Sequence, residues 1–90
     1  MTQWVYIYQD SLGQLAIALT MDIRQSLSVL TPFSKQICYL RPFNVPLDAL
    51  AHKHLLDDLS YVSLKHLIRK NKYQTACWLD IIDRTGKRRI

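Results

Sequence analysis

The side chains best suited to contact an anionic partner are concentrated in the carboxyl-terminal third of this sequence. Residues 61–90 carry eight Lys or Arg against two Asp, whereas residues 1–60 carry four basic and five acidic side chains. This asymmetry predicts sequence-independent contact with the phosphates of DNA or RNA, which salt would weaken. The candidate nucleic-acid-binding residues are Lys65, Arg69, Lys70, Lys72, Arg84, Lys87, Arg88 and Arg89. The alternative is a solvated helix face followed by a soluble tail.

The histidine and cysteine residues lack the spacing of a metal site or a nucleophilic centre. His52 and His54 are two residues apart. On a helix they would point about 200° from each other, so they cannot chelate one ion. Cys38 and Cys77 stand alone, without a CxxC pair, and are expected to be reduced thiols. We therefore expect no metal and no cofactor, and a sequence with two glycines has no glycine-rich phosphate loop.

Length and composition indicate one small domain. Ninety residues with 49% hydrophobic side chains can form one modest core, and this content argues against disorder. The first residues lack a basic start and a long apolar run, so we expect no signal peptide. No stretch approaches the ~18 apolar residues of a membrane span. We expect a cytoplasmic domain over residues 1–83 and a basic tail over residues 84–90, without membrane contact.

The amino-terminal segment has the alternation of a β-hairpin. Residues 4–8 are aromatic or β-branched, and a period of two places Val5 and Ile7 on one face. Three aromatic side chains share the other face: Trp4, Tyr6 and Tyr8. This face could stack bases, but we favour packing against the helices. Turn-forming residues 9–13 include Gly13, which can adopt a positive φ, and the return strand covers residues 14–19.

A helix and a third strand are predicted next. Thr20 or Asp22 can cap the helix, because their side-chain oxygens can accept from backbone N–H groups of its first turn. The apolar stripe of this helix is Ile23, Leu27 and Leu30. The third strand covers residues 36–40 and is closed by Arg41 and Pro42.

Two or three helices are predicted after Pro46. The first is expected to bury one apolar face, formed by Leu47, Leu50, Ala51, Leu55 and Leu59, and His54 falls at its edge. Ser60 can cap the next helix, whose buried stripe is Tyr61, Leu64, Leu67 and Ile68. A short last helix over residues 73–82 carries Trp78, Ile81 and Ile82, and Gly86 is expected to break helical structure beyond it.

The order β-β-α-β-α-α predicts an α+β fold. We expect a small three-stranded, mostly antiparallel sheet packed with three or four helices. Five short segments also carry motifs of a known family: VYI at 5–7, LAIALTMDIRQSL at 15–27, ICYLRPF at 37–43, DALAHK at 48–53 and the segment 60–68. In this order they resemble the VYI, YxG with TxDL, LVYYEEF, EAIRRE and WSRxxKxxLI segments of GIY-YIG nucleases. The resemblance is greatest to the small single-domain bacterial members.

The resemblance implies a catalytic centre whose side chains this sequence mostly replaces. In the family a tyrosine pair helps activate the nucleophile, an arginine stabilises phosphoryl charge, and a glutamate holds a divalent ion. Only the first tyrosine is retained, as Tyr6. The second tyrosine and its nearby glycine fall on Ala16 and Ala18, the arginine on Ser26 and the glutamate on Lys53. We therefore expect no catalytic residues.

Three functions remain compatible with these residues. The first is a catalytically inactive GIY-YIG-like module that binds nucleic acid through its basic carboxyl-terminal third. The second is a protein-interaction or homodimerisation module that uses the former catalytic face, now Ala16, Ala18 and Ser26. The third is a divergent endonuclease that requires Mg²⁺. A displaced metal ligand at Asp57 or Asp58 is disfavoured, because the lysine at the glutamate position lies one helical turn away.

Overall fold

A computed structural model describes residues 2–10, 12–23, 25 and 36–87, except for the side chains of residue 36 and residues 83–87. Three strands form one antiparallel sheet in the order β2-β1-β3. They are β1 (Gln3–Gln9), β2 (Leu15–Thr20) and β3 (Gln36–Phe43). Three helices in the described part of the chain follow: α1 (Pro46–Asp57), α2 (Tyr61–Lys70) and α3 (Lys72–Lys87). The predicted α+β fold is confirmed.

The turn between β1 and β2 is held by a side chain of the turn itself. Asp10 Oδ1 accepts hydrogen bonds from the backbone N–H groups of Leu12 and Gln14, both at 2.9 Å. Gly13 has φ of +82°, a conformation that side chains with a Cβ rarely adopt. The predicted role of Gly13 in this turn is therefore confirmed.

The segment after β2 begins as predicted. Of the two candidates for the helix cap, Asp22 makes the capping hydrogen bond: its Oδ1 accepts from the backbone N–H of Gln25 at 3.1 Å. Ile23 is buried in the core. Leu27 and Leu30, the rest of the predicted stripe, lie outside the described residues.

The helices α1 and α2 cover the sheet face that carries the aliphatic residues of β1. Val5 and Ile7 are fully buried, and they form one core with Ala49 and Leu56 of α1 and Leu64 of α2. Fully burying a side chain of this size stabilises a fold by about 1.5–3 kcal/mol. Because side chains alternate between the two faces of a strand, Val5 and Ile7 of β1 are the ones that contact these helices.

The helix α3 covers part of the opposite face, which carries the aromatic residues of β1. Tyr6 is only 7% exposed and packs with Ile23 and Leu40. Trp4 makes an edge-to-face contact with Trp78 of α3, with the ring centroids 5.4 Å apart. Trp4 and Tyr6 therefore pack inside the molecule, as favoured from the sequence, and are not an open surface for bases.

The strand β3 is longer than predicted and irregular. Arg41 and Pro42 do not close it, because both pair with β1 and the strand continues to Phe43. Pro42 is tolerated because β3 lies at the edge of the sheet, where a missing N–H need not interrupt a ladder. Near the start of the strand the register shifts by one residue, so Cys38 is the extra residue of a β-bulge.

The face by which α1 packs on the sheet is opposite to the predicted one. Four residues of the predicted buried face are exposed: Leu47 (75%), Leu50, Ala51 and Leu55 (58%). Ala49 and Leu56 are buried instead, and Leu59 beyond the helix is half-buried against the core. The prediction was wrong because α1 has apolar residues on both sides, and periodicity alone does not decide which side meets the sheet.

The orientation of α1 also makes the prediction for His54 wrong. His54, expected at the edge of the core, is exposed. His52 is half-buried, with Nε2 2.8 Å from Tyr39 Oη and its ring stacked on that of Tyr39. Both environments follow from the face by which α1 packs on the sheet, because the two residues lie on opposite sides of the helix.

The later helices differ from prediction at their ends. Ser60 caps α2 as predicted, since its Oγ accepts from the backbone N–H of Ser63 at 3.2 Å, but Tyr61 is largely exposed. The helix α3 continues past Gly86, so this glycine does not end it. Residues 88–90 lie outside the described residues, and the division of the chain at residue 83 stays a prediction. Within the described ranges, no helix has both the length and the apolarity to cross a bilayer.

Candidate nucleic-acid interface

Three positions that the resemblance aligns with the family's tyrosines and glycine lie on one face of the sheet. Tyr6 is directly opposite Ala18 in the pairing of β1 with β2, and Tyr8 is opposite Ala16. Opposed residues of paired strands share a face, so Tyr6, Ala16 and Ala18 lie on the same side of the sheet. Ser26, the arginine position, lies outside the described residues.

Lys53, which the resemblance aligns with the family's glutamate, belongs to α1, which packs on the other face of the sheet. Its Nζ lies 2.9 Å from Asp57 Oδ2, an ion pair between residues one helical turn apart. A pair of this kind stabilises a helix by only about 0.3–0.5 kcal/mol. Its main effect is local, because the charge of the Asp57 carboxylate is balanced by the ammonium beside it.

The junction of α2 and α3 places half of the predicted binding residues on the surface. They are exposed in every case: Lys65, Arg69, Lys70 and Lys72. Lys65 and Arg69 are one helical turn apart and share a side of α2. The junction itself is ordered by Asn71, whose Nδ2 donates to the carbonyl oxygen of Leu67 at 2.9 Å. Four exposed basic residues thus lie within eight consecutive residues of the chain.

The other predicted basic residues are not part of this group. Arg84 and Lys87 lie on the last turns of α3, whereas Lys72 is its first residue. At a rise of about 1.5 Å per residue, they are about 18 and 22 Å from Lys72 along the helix axis. Arg88 and Arg89 lie outside the described residues. The predicted binding residues of the described backbone therefore lie at the two ends of α3 and not at one place.

The structure contains a cleft between β3 and α3 that was not predicted from the sequence. It has a volume of about 610 Å³, with residues 39–42 of β3 on one side. Tyr73, Gln74 and Trp78 of α3 are on the other side, and Tyr73 is 80% exposed. In the sequence, Tyr73 could have indicated this cleft, because this aromatic residue directly follows Lys72 and falls outside the apolar stripe predicted for the last helix.

Burial favours the neutral form of two titratable groups near the sheet. It lowers the pKa of His52, and the positive charge of Arg41 lowers that pKa further. Burial also raises the pKa of the Cys38 thiol, against the opposing effect of the charge on Lys65. A neutral thiol is a weaker nucleophile than a thiolate, so burial does not activate Cys38.

The architecture that holds these residues is similar to a solved structure. A UPF0213 protein from Bacillus halodurans, determined by solution NMR, matches 77% of this chain and 84% of its own, with a TM-score of 0.59 and 16% identity. The chain has a GIY-YIG-like fold. No protein-family model and no curated protein matches the sequence. At this identity the likeness concerns the fold alone.

The described side chains around Lys53 do not fit the divalent ion of GIY-YIG nucleases. Where the resemblance implies a metal-binding glutamate this chain has Lys53, a cation that would repel Mg²⁺. Asp57, one of the two disfavoured positions for a displaced ligand, is paired with that cation. Among the residues that the structure describes, no three His, Cys, Asp or Glu are grouped as metal ligands would be.

Proposed function

We propose that this chain is a non-cleaving GIY-YIG-like module that binds DNA or RNA through phosphate contacts at the junction of α2 and α3. The observation that carries the proposal is the exposure of Arg69, Lys70 and Lys72, none of which forms an ion pair within the described residues. A basic side chain without a carboxylate partner keeps its charge available for a phosphate.

The absence of cleavage in this proposal is supported by the environments of Tyr6 and Lys53. A catalytic tyrosine must come within hydrogen-bond reach of the reacting group, and Tyr6 is only 7% exposed. The metal ligand is replaced by Lys53, and the arginine position carries Ser26. Loss of one group that stabilises charge in the transition state already costs on the order of 10²–10³ in rate.

The test is fluorescence anisotropy with a labelled duplex and the matching single strand, at low and moderate salt with Mg²⁺ present. If all four exposed basic residues of the junction contact phosphates, affinity for the duplex should fall about 100-fold between about 50 and 200 mM salt. The reason is the release of condensed counterions, which each phosphate contact makes possible.

Single charge removals locate the contact. Lys70→Gln should weaken binding and reduce the slope of log affinity against log salt by about one. Lys53→Gln is the matched control, since it also removes one positive charge, but from a lysine that is paired with Asp57. Equal effects of the two variants would contradict an interface at the α2–α3 junction.

Two results would overturn the proposed function itself. Metal-dependent cleavage of the duplex that Tyr6→Phe abolishes would show that the divergent catalytic site is active. An unchanged anisotropy with both nucleic acids at low salt would show that the basic residues do not bind phosphates. The first result concerns cleavage and the second concerns binding, so the two halves of the proposal are tested separately.

A second candidate function is self-association or protein binding through α1. The former catalytic face supports it less, because Ala18 is half-buried against the cluster that contains Tyr6. The exposed Leu47 and Leu55 of α1 support it more, since large apolar side chains on one helix face often mark a contact surface. Analytical ultracentrifugation should then show a concentration-dependent mass that Leu55→Lys abolishes and Lys70→Gln preserves.

A further inference from the structure

The cleft between β3 and α3 supports an inference that deepens the proposed nucleic-acid binding and rests on it. We propose that this cleft receives an unstacked base of single-stranded DNA or RNA. The base stacks on the ring of Tyr73, and the adjoining phosphates contact Lys70 and Lys72. The preferred ligand is therefore a single strand rather than an intact duplex.

The first argument is an exposed aromatic ring at the wall of a cavity of suitable size. Tyr73 is 80% exposed, although it lies next to a cleft of about 610 Å³. This volume is within the range of about 300–1,000 Å³ that is usual for small-ligand sites, so a nucleobase and its sugar fit. Pro42 and Trp78, which are half-buried, give the cleft apolar surface for the faces of a base.

The second argument is charge complementarity at the same end of α3. Lys70 and Lys72 directly precede Asn71 and Tyr73, which both line the cleft. The lining residues include Arg41 and no Asp, so the charge that lines the cleft is positive. The exposed Gln74 adds an amide that can donate to and accept from the edge of a base.

The combination of ring and charge distinguishes a single strand from a duplex. In a duplex the base faces are covered by stacking, so a protein meets phosphates and groove edges. A single strand offers base faces, and stacking of one base on an aromatic side chain is tolerant of sequence. An aromatic residue directly after Lys72, and three positions after Lys70, suits the second ligand, whereas lysines alone would serve either.

The edge of β3 argues against an extended peptide as the occupant. A peptide that adds a strand to a sheet edge depends on a regular row of backbone donors and acceptors. Pro42 has no N–H to donate, and the bulge at Cys38 breaks the register. Between them, too few regular positions remain for a stable added strand.

The experiment compares one labelled single strand with the duplex of the same sequence, at low salt. Tyr73→Ala should weaken binding of the single strand by roughly 5- to 100-fold, the loss of one stacked base, and change duplex affinity less than twofold. Tyr73→Phe keeps the ring and should bind as the unmodified chain does. Leu12→Ala is the control, because it removes a similarly exposed side chain, 81% exposed, from the turn between β1 and β2.

The outcomes separate this inference from the proposed function. If Tyr73→Ala affects single strand and duplex equally, or affects neither, while Lys70→Gln weakens both, the base-binding cleft is wrong and the phosphate contact stands. If the unmodified chain binds neither nucleic acid, the proposed function fails and this inference fails with it. Far-UV circular dichroism of each variant establishes that the fold is retained.

Discussion

His52 lies between two aromatic rings, an environment that its position in the sequence does not indicate. It sits between Tyr39 and Phe43, with ring centroids 5.9 and 5.1 Å away, and its Nε2 is 2.8 Å from Tyr39 Oη. The guanidinium of Arg41 lies over the ring of Phe43, 5.1 Å from its centroid. Burial and this neighbouring charge both lower the pKa of His52. The imidazole is thus held in its neutral form within the fold.

The lowered pKa of His52 predicts a pH-dependent stability. In the unfolded chain the imidazole has its ordinary pKa near 6.5, so the unfolded chain binds a proton more tightly than the folded one. The free energy of unfolding should therefore be highest above about pH 6.5 and fall as the pH decreases below it. Urea unfolding between pH 8 and pH 5 measures this decrease. His52→Phe should reduce it, while His54→Gln, a change at an exposed histidine, should not.

Thr75 is a buried residue whose hydroxyl group has no hydrogen-bond partner among the described residues. Its side chain is 4% exposed, and Oγ1 is unpaired there. Thr75→Val replaces this hydroxyl with a methyl group of similar size. We expect the free energy of unfolding to be unchanged or to rise by up to about 1 kcal/mol, because the cost of burying an unpaired polar group is removed. Thermal denaturation tests this, and a loss of stability would show that the hydroxyl is bonded.

The orientation of α1 can be tested with two neighbouring leucines. Leu56 is 1% exposed and Leu55 is 58% exposed, although the sequence pattern predicts Leu55 as buried. Leu56→Ala should lower the free energy of unfolding by about 2–5 kcal/mol, the usual cost of a cavity at a buried leucine. Leu55→Ala should cost less than about 0.5 kcal/mol. Chemical denaturation measures both values. If the predicted face were correct, Leu55→Ala would lower the free energy of unfolding more than Leu56→Ala does.

The elements that the sequence predicts well are those set by local chemistry. The hairpin follows from residues within five positions of each other, since Asp10 and Gly13 define its turn without help from distant parts of the chain. The alternation of β1 likewise assigns Val5 and Ile7 to one face wherever the helices lie. The exposed face of α1 and the length of α3 could not be derived this way, because both depend on contacts between distant residues.

The candidate interface is likewise predictable from the sequence only in its local features. The types and exposure of Lys70 and Lys72 are foreseeable from a basic, periodic segment. Their separation from Arg84 is not, since the sequence does not reveal that one helix continues between them. The cleft beside Tyr73 is also invisible in the sequence, because it exists only where α3 approaches the edge of β3.

For the molecule as a whole, the spacing of the basic residues at the two ends of α3 predicts a dependence on ligand length. The backbone of Arg84 is about 18 Å from that of Lys72 along the helix axis, which is farther than adjacent phosphates of one strand can span. Arg84→Gln should therefore weaken binding of a 20-nucleotide strand but leave that of a dinucleotide unchanged. Lys70→Gln should weaken both. Competition measurements with unlabelled strands test this, and an equal effect of Arg84→Gln at both lengths would contradict it.

The interruptions in β3 also affect how copies of this chain behave at high concentration. Amyloid fibres grow when regular strand edges of successive molecules pair, and a proline or a bulge opposes such pairing. Pro42 and the bulge at Cys38 place both features on one edge strand. We expect concentrated solutions to resist fibre growth from this side of the sheet. Replacing Pro42 with valine would restore a donor to the edge and should shorten the lag before thioflavin-T fluorescence rises.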